Sequence, residues 1–220
     1  MRPVEEFLRN AAFFQGVEDR DLAALATTVR TQTYGCHELL AQLVDPARTI
    51  SFVEQGGVRL FRLTVEGRQL TVSTRHAGEY FWQNSTYTKG GPRGCIEALS
   101  DGTIAHHFER REFDVLVARY PVMAATLIGQ LSFFLGEAYD RLEDAALRPP
   151  DIQLAHTLVR LAGGEQPVVT ATHEEIATLM GITRERVTKL LGRLQALRLV
   201  ACERRWHRIF LLRPEHLKDL

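Results

Sequence analysis

Cysteine is scarce and scattered in this 220-residue chain: Cys36, Cys95 and Cys202 stand far apart, with no C-x-x-C pair among them. That argues against a disulfide framework and a thiolate-only metal site, and the three are expected to be small buried hydrophobes instead. No uninterrupted apolar run reaches the length of about eighteen residues that a membrane span needs. The opening MRPVEEFLRN lacks the basic-then-apolar layout of an export signal, so a cytoplasmic protein is expected, without a membrane partner. Also missing are a glycine-rich phosphate loop, a nucleophile–base–acid set and a metal triad of usual spacing, so the chain is not expected to be an enzyme. Net charge is zero, with 27 basic against 27 acidic residues, which taken alone argues against a polyanionic partner.

The distribution of charge says more than its sum. Between Arg184 and Arg213 the chain carries nine cations against only Glu185 and Glu203, a local excess of seven positive charges. A solvated helix face would alternate its signs. A one-signed segment of this kind is the electrostatic footprint expected of a phosphate-binding surface.

Three textures divide the chain. Glu5–Asn10 and Asp19–Thr28 read as short helices punctuated by Gly16, and from Arg30 to about Phe113 short alternating runs such as VRLFRL and QLTVS are interrupted by glycines. Evenly spaced strands with turn signals predict an antiparallel β sandwich or barrel, and no helix of crossover spacing intervenes to make a parallel sheet. After Pro121 the apolar residues Ala124, Ile128, Leu131, Leu135, Ala138, Leu142 and Ala145 repeat at steps of 4 and 3. That is a heptad seam, predicting a long helix with a symmetry mate, while Leu127, Phe134 and Tyr139 on a flanking face pack against its own domain. Two prolines after Arg148 end the seam, and Asp151 is expected to cap the next helix. The resulting divisions are residues 1–118, 119–147 and 148–220.

The stretch THEEIATLMGITRERVTKLLGRL, residues 172–194, carries the densest information. Thr172 and Glu175 form a capping box that starts a helix, Gly181 allows a sharp turn, and Thr183 caps a second helix. Val187, Leu190, Leu191 and Leu194 make the inward face of that helix, which leaves Arg184, Glu185, Thr188 and Lys189 outward near its N-terminus. In a helix-turn-helix those positions meet base edges in the major groove of double-stranded DNA. An arginine fork matches guanine, glutamate accepts from cytosine, and lysine reaches guanine or phosphate. Two strand-like runs, LVAC and RIFL, flank a basic wing whose Arg204, Arg205 and Arg208 are suited to phosphates.

A β-rich N-terminal domain, a heptad helix, a break and a winged helix-turn-helix together resemble the CRP/FNR family of bacterial transcription regulators. The likeness is strongest at Thr172–Ala177, which matches T-x-x-E-I-A, and at Gly181–Leu191, which matches G-x-[ST]-R-E-x-V-x-R-x-[IL] with Lys189 where arginine is usual. The resemblance implies an α+β architecture: an N-terminal β-roll (a cyclic-nucleotide-binding-like jelly roll), a long dimerisation helix and a C-terminal winged helix-turn-helix. It implies a homodimer on an inverted repeat, and RNA polymerase as a further partner. In cyclic-AMP-responsive members a G-E-L segment binds the ribose and an R-S-A segment the phosphate. Here Trp82-Gln83-Asn84 and Arg93-Gly94-Cys95 stand in those places, and Ala138-Tyr139 replaces the adenine-contacting Thr-Ser pair. The ribose-binding carboxylate is missing, so the resemblance points away from cyclic AMP. Tyr80, Gln83, Arg93, Gly94, Cys95 and Tyr139 are the effector-binding candidates, with the effector or cofactor itself unknown. Two alternatives stay open: a ligand-independent β domain, or a haem or redox sensor using cysteines or His76, His106 and His107. The two adjacent histidines alternate across a strand and cannot meet one ion.

Overall fold

The computed structural model describes residues 4–41, 49–65, 67–82, 94–162, 167–203 and 207–218. By compactness the chain forms two units, Met1–Leu63 with Val72–Phe133 and Thr64–Thr71 with Phe134–Leu220. The first opens with α1 (Val4–Asn10), a 3-10 turn at Ala12–Phe14 and α2 (Asp19–Ala26). Eight strands follow: β1 (Arg30–Tyr34), β2 (Leu39–Ala41), β3 (Thr49–Gln55), β4 (Gly57–Leu63), β5 (Gln69–His76), β6 (Tyr80–Trp82), β7 (Cys95–Ala98) and β8 (Thr103–Glu109). They form two four-stranded sheets in the orders β1-β8-β3-β6 and β2-β7-β4-β5. β8 runs antiparallel between β1 and β3, with His107 opposite both Arg30 and Ser51.

Period-two alternation along β3 and β8 builds two cores at once. Ile50 and Phe52 of β3, with Phe108 of β8, face the N-terminal helices and join Phe13, Phe14, Tyr80 and Phe113. Phe52 sits at the centre of this aromatic cluster, with ring centroids 5.0 to 5.4 Å from Phe14, Phe13, Phe108 and Tyr80. Val53 and Ala105, in the opposite phase, join Val58, Ile96 and Ala98 of the second sheet between the two layers. The alternating texture of the sequence thus yields the expected two-layer antiparallel domain.

Strand structure ends earlier than the alternation suggests, because β8 stops at Glu109 and α3 (Arg110–Arg119) begins directly after it. Phe113 and Leu116, both buried and three residues apart, mark its core face. Ten residues give too few periods for the change from period two to period 3.6 to stand out. α4 (Pro121–Leu147) is the long helix the seam predicts. Met123 is fully buried and Leu127 packs against the aromatic cluster, whereas Tyr139, expected to pack with Leu127, is 61% exposed.

Within the second unit, α5 (Pro150–Ala162) follows α4 after only Arg148 and Pro149. Asp151 does not cap this helix. Pro150 occupies the first helical position, where a fixed φ and an absent N–H cost nothing, and Asp151 falls in the first turn, where its charge suits the positive helix end. β9 (Val168–Thr170), α6 (His173–Met180), α7 (Arg184–Ala196), β10 (Val200–Glu203), β11 (Arg208–Leu211) and α8 (Pro214–Lys218) complete the chain. β9 adds a third strand to the expected wing, in the order β10-β11-β9. Three residues with little period of their own gave no strand signal in the sequence.

Candidate nucleic-acid interface

Local chemistry fixes the pair α6 and α7. The Thr172 backbone N–H donates to Glu175 Oε2 at 2.6 Å, and the Glu175 N–H donates back to Thr172 Oγ1 at 3.1 Å. This reciprocal box satisfies two N–H groups that the first turn of α6 leaves without helical partners. Gly181 ends α6 at φ +65°, in the left-handed region where a side chain would be strained, and its N–H donates to the Ala177 carbonyl. Thr183 then caps α7 by accepting from the Arg186 N–H at 3.3 Å.

The inward face of α7 is Val187, Leu190, Leu191 and Leu194, all buried. They pack against Leu154 and Leu158 of α5, Ile176 of α6, Val200 of β10 and Ile209 of β11. α7 closes in a Schellman turn: Leu199 N–H reaches the Leu194 carbonyl at 3.0 Å and Arg198 N–H the Gln195 carbonyl at 2.9 Å. Arg198 takes the left-handed conformation, φ +56°, usually given to glycine.

On the opposite face Arg184, Glu185, Thr188 and Lys189 are exposed together. The Glu185 carboxyl is held below its ordinary pKa by its own backbone N–H and by the Thr183 hydroxyl, so it faces solvent as a carboxylate. Thr188 Oγ1 lies 3.1 Å from the Arg184 carbonyl and 2.8 Å from His173 Nδ1. His173 was not among the sequence candidates. Its only signal there is its place at the first residue of α6, beside Thr172. Arg208 is exposed at the start of β11, opposite Glu203 on β10 and Thr170 on β9. Arg204 and Arg205 lie outside the described residues.

Tyr80 is buried in the aromatic core that faces the N-terminal helices, 5.0 Å from Phe13 by ring centroid. Cys95 is buried in β7, and a Cβ at Gly94 would stand 2.9 Å from the Phe61 carbonyl oxygen, so only glycine permits that backbone approach. Tyr139 is exposed on α4, and Gln83 and Arg93 lie outside the described residues, as does the side chain of Trp82.

The two adjacent histidines do face opposite ways. His106 lies toward the helices, its Nδ1 at 2.9 Å from Thr31 Oγ1, its Nε2 at 2.9 Å from Glu54 Oε2, and its ring against Phe7. His107 lies between the sheets, with Nδ1 at 2.7 Å from Ser51 Oγ and Nε2 at 2.7 Å from the Tyr34 hydroxyl. Both rings have both nitrogens engaged. Burial drives the His107 pKa down to about 4, with Arg30 and His106 adding to the shift, so its imidazole is neutral. Among the described residues no three His, Cys, Asp or Glu side chains gather into a metal site.

Comparison with known proteins converges on the same C-terminal region and then extends beyond it. Residues 153–220 match the family model of the Crp-like helix-turn-helix domain. The chain is 30% identical over 173 residues to the transcriptional regulator LdrP of Thermus thermophilus, covering 76% of this chain and 85% of that one. It is 25% identical over 185 residues to the same organism's cyclic AMP receptor protein, covering 84% and 85% of the two. Among solved structures, a transcriptional regulator of the CRP/FNR family from Thermus thermophilus superposes with a TM-score of 0.70 at 25% identity, over 86% of this chain and 97% of that one.

Proposed function

The chain belongs to the CRP/FNR family of DNA-binding transcription regulators, and on that premise we propose that it acts as a homodimer on an inverted-repeat site, governed through its β domain by a signal other than cyclic AMP. The observation that carries the DNA-reading part is the exposed N-terminal face of α7, with Arg184, Glu185, Thr188 and Lys189 opposite a fully buried apolar face. The second helix of a helix-turn-helix presents those positions to base edges. Arg184 offers a bidentate fork to guanine and Glu185 an acceptor to the cytosine amino group; Lys189 is a point charge without the fork that arginine would supply. Arg204, Arg205 and Arg208 hold phosphates and set the register.

Self-association is supported by α4. Ile128, Leu131, Leu135 and Leu142 of the heptad seam are 47 to 65% exposed in the single chain, a row that a second copy of the helix would cover. α4 also has the length and apolar content of a membrane span. Its second half, however, carries Glu137, Asp140, Arg141, Glu143 and Asp144, which a bilayer core would exclude and a water-flanked seam accepts. A two-fold dimer places its recognition helices on half-sites one helical turn apart, and RNA polymerase is the partner through which such a bound dimer acts. Against cyclic AMP stand the Trp82-Gln83-Asn84 segment in the ribose position and Ala138-Tyr139 in the adenine position. The Tyr34–His107–Ser51 set between the sheets is neutral and satisfied within itself.

Fluorescence anisotropy on DNA from upstream of the protein's own gene, at fixed salt, tests the proposal. Tight specific binding unchanged by cyclic AMP is expected; binding that appears only with the nucleotide overturns the assignment of the signal. Arg184→Ala is expected to lose about 1–3 kcal/mol of discrimination at one base position, and Arg208→Ala to weaken all sequences alike and lower the salt slope by about one. Uniform loss in both variants would sink the division of roles.

A further inference from the structure

Thr188 stands on the outward face of α7 between Arg184 and Lys189, but its hydroxyl is already engaged from two sides. One contact is to the Arg184 carbonyl, 3.1 Å away and one turn back, and the other is to His173 Nδ1 at 2.8 Å. A hydroxyl has a single proton to donate. With that proton on the Arg184 carbonyl, the second contact is a hydrogen bond only when Nδ1 carries the hydrogen. The three groups then form a relay in one direction, from the His173 N–H to Thr188 Oγ1 and from the Thr188 O–H to the Arg184 carbonyl. It links the first residue of α6 to the base-facing side of α7.

The consequence lies in the rotamer. Threonine in a helix divides between two χ1 wells, because its hydroxyl can bond back to the preceding turn in either. A free Thr188 would turn either its methyl group or its hydroxyl toward a base. Resting on the reading of α7 as the base-contacting helix, we propose that His173 is a positioning residue for specificity. It holds Thr188 in one rotamer with the hydroxyl proton turned into the protein, so a base meets a methyl group and an acceptor and finds no donor. Thymine, through its 5-methyl, and the amino groups of adenine or cytosine suit that surface; the N7 and O6 acceptors of guanine do not.

The test uses the full chain and a pool of randomised duplexes long enough for two half-sites. Sequencing of the bound fraction is followed by anisotropy titrations on single-base variants at several salt concentrations. Wild-type protein is expected to reject guanine at one symmetric position of each half-site. His173→Ala is expected to cut that rejection about five-fold with an unchanged salt slope, the size of one lost hydrogen bond. His173→Asn, whose amide N–H stands where Nδ1 does, is expected to restore it, and in a Thr188→Ala background His173→Ala is expected to add nothing. If His173→Ala fails to fold, His173→Leu, which fills the space without the donor, carries the same test. Unchanged rejection in the donor-less variant overturns the proposal. So does uniform weakening with a salt slope lower by about one, which would make His173 a phosphate contact. Wild-type protein with no base preference anywhere in the duplex would instead sink the assignment of α7 as the reading helix.

Discussion

His107 shows how one side chain commits the β domain to a pH range. Its ring is buried between Ser51 and Tyr34, and burial lowers its pKa from the ordinary 6.5 to about 4. Between those values the unfolded chain takes up a proton that the native state refuses. Stability is therefore complete above pH 6.5 and is lost as pH falls toward 4, by roughly 3 kcal/mol over the window. Urea unfolding at pH 7.5 and 4.5 checks this: His107→Gln is expected to flatten the slope between the two, and an unchanged slope would assign the acid sensitivity to other groups. The sequence made His106 and His107 visible as a pair facing opposite ways. It could not supply their partners, because Ser51 and Tyr34 lie on strands more than fifty positions away in the chain and meet His107 only through sheet register. By contrast the Thr172–Glu175 box and the Thr183 cap were readable residue by residue, since each closes within three positions.

At the scale of elements, the joint between α4 and α5 carries the least obvious chemistry. Asp144, buried near the end of α4, accepts from His156 Nδ1 at 2.9 Å and from an Arg160 guanidinium N–H at 3.0 Å, with Arg148 Nε at 3.2 Å. Burial pushes its carboxyl pKa up, but the hydrogen bonds from His156 and Arg160 outweigh it and hold the value below the ordinary carboxylate range. A carboxyl depressed in this way contributes stability that is present above its unfolded pKa and disappears as pH drops through the folded one. Asp144→Ala leaves two arginines and a histidine facing an empty place, and a loss of roughly 3 kcal/mol in urea denaturation at neutral pH is expected. A loss below about 0.5 kcal/mol would show that solvent screens the network. The prolines announced this joint in the sequence. The ion network did not announce itself, because α4 and α5 carry charges at many positions and only the turn of the chain at Pro149 selects which of them meet.

For the whole molecule, the decisive quantity is whether two chains hold together. A glutamate at Leu135, in the middle of the exposed seam, would place two like charges where the proposed dimer would bring two leucines together. Leu135→Glu is expected to weaken self-association by about 100-fold or more in sedimentation equilibrium, and to lower affinity for an inverted repeat far more than for a single half-site. A variant that stays dimeric would remove the seam from the interface. The same helix shows why overall apolar content is a weak guide: that content suits a bilayer, while the steps of 4 and 3 and the charges at 137–144 both favour a seam over a span.

Residue order was enough to read the family, most of the succession of elements apart from α3 and β9, the caps and turn of the helix pair and the side of α7 that faces out, because each of those signals is local or repeats with a fixed period. Folding was needed for the neutral His107 interior, the burial of Tyr80 in an aromatic core, the ion network at Asp144 and the hydrogen bond between His173 and Thr188. Each of these depends on residues distant in the chain or on separate elements, whose meeting is set by strand register and helix packing. No spacing within the sequence encodes it.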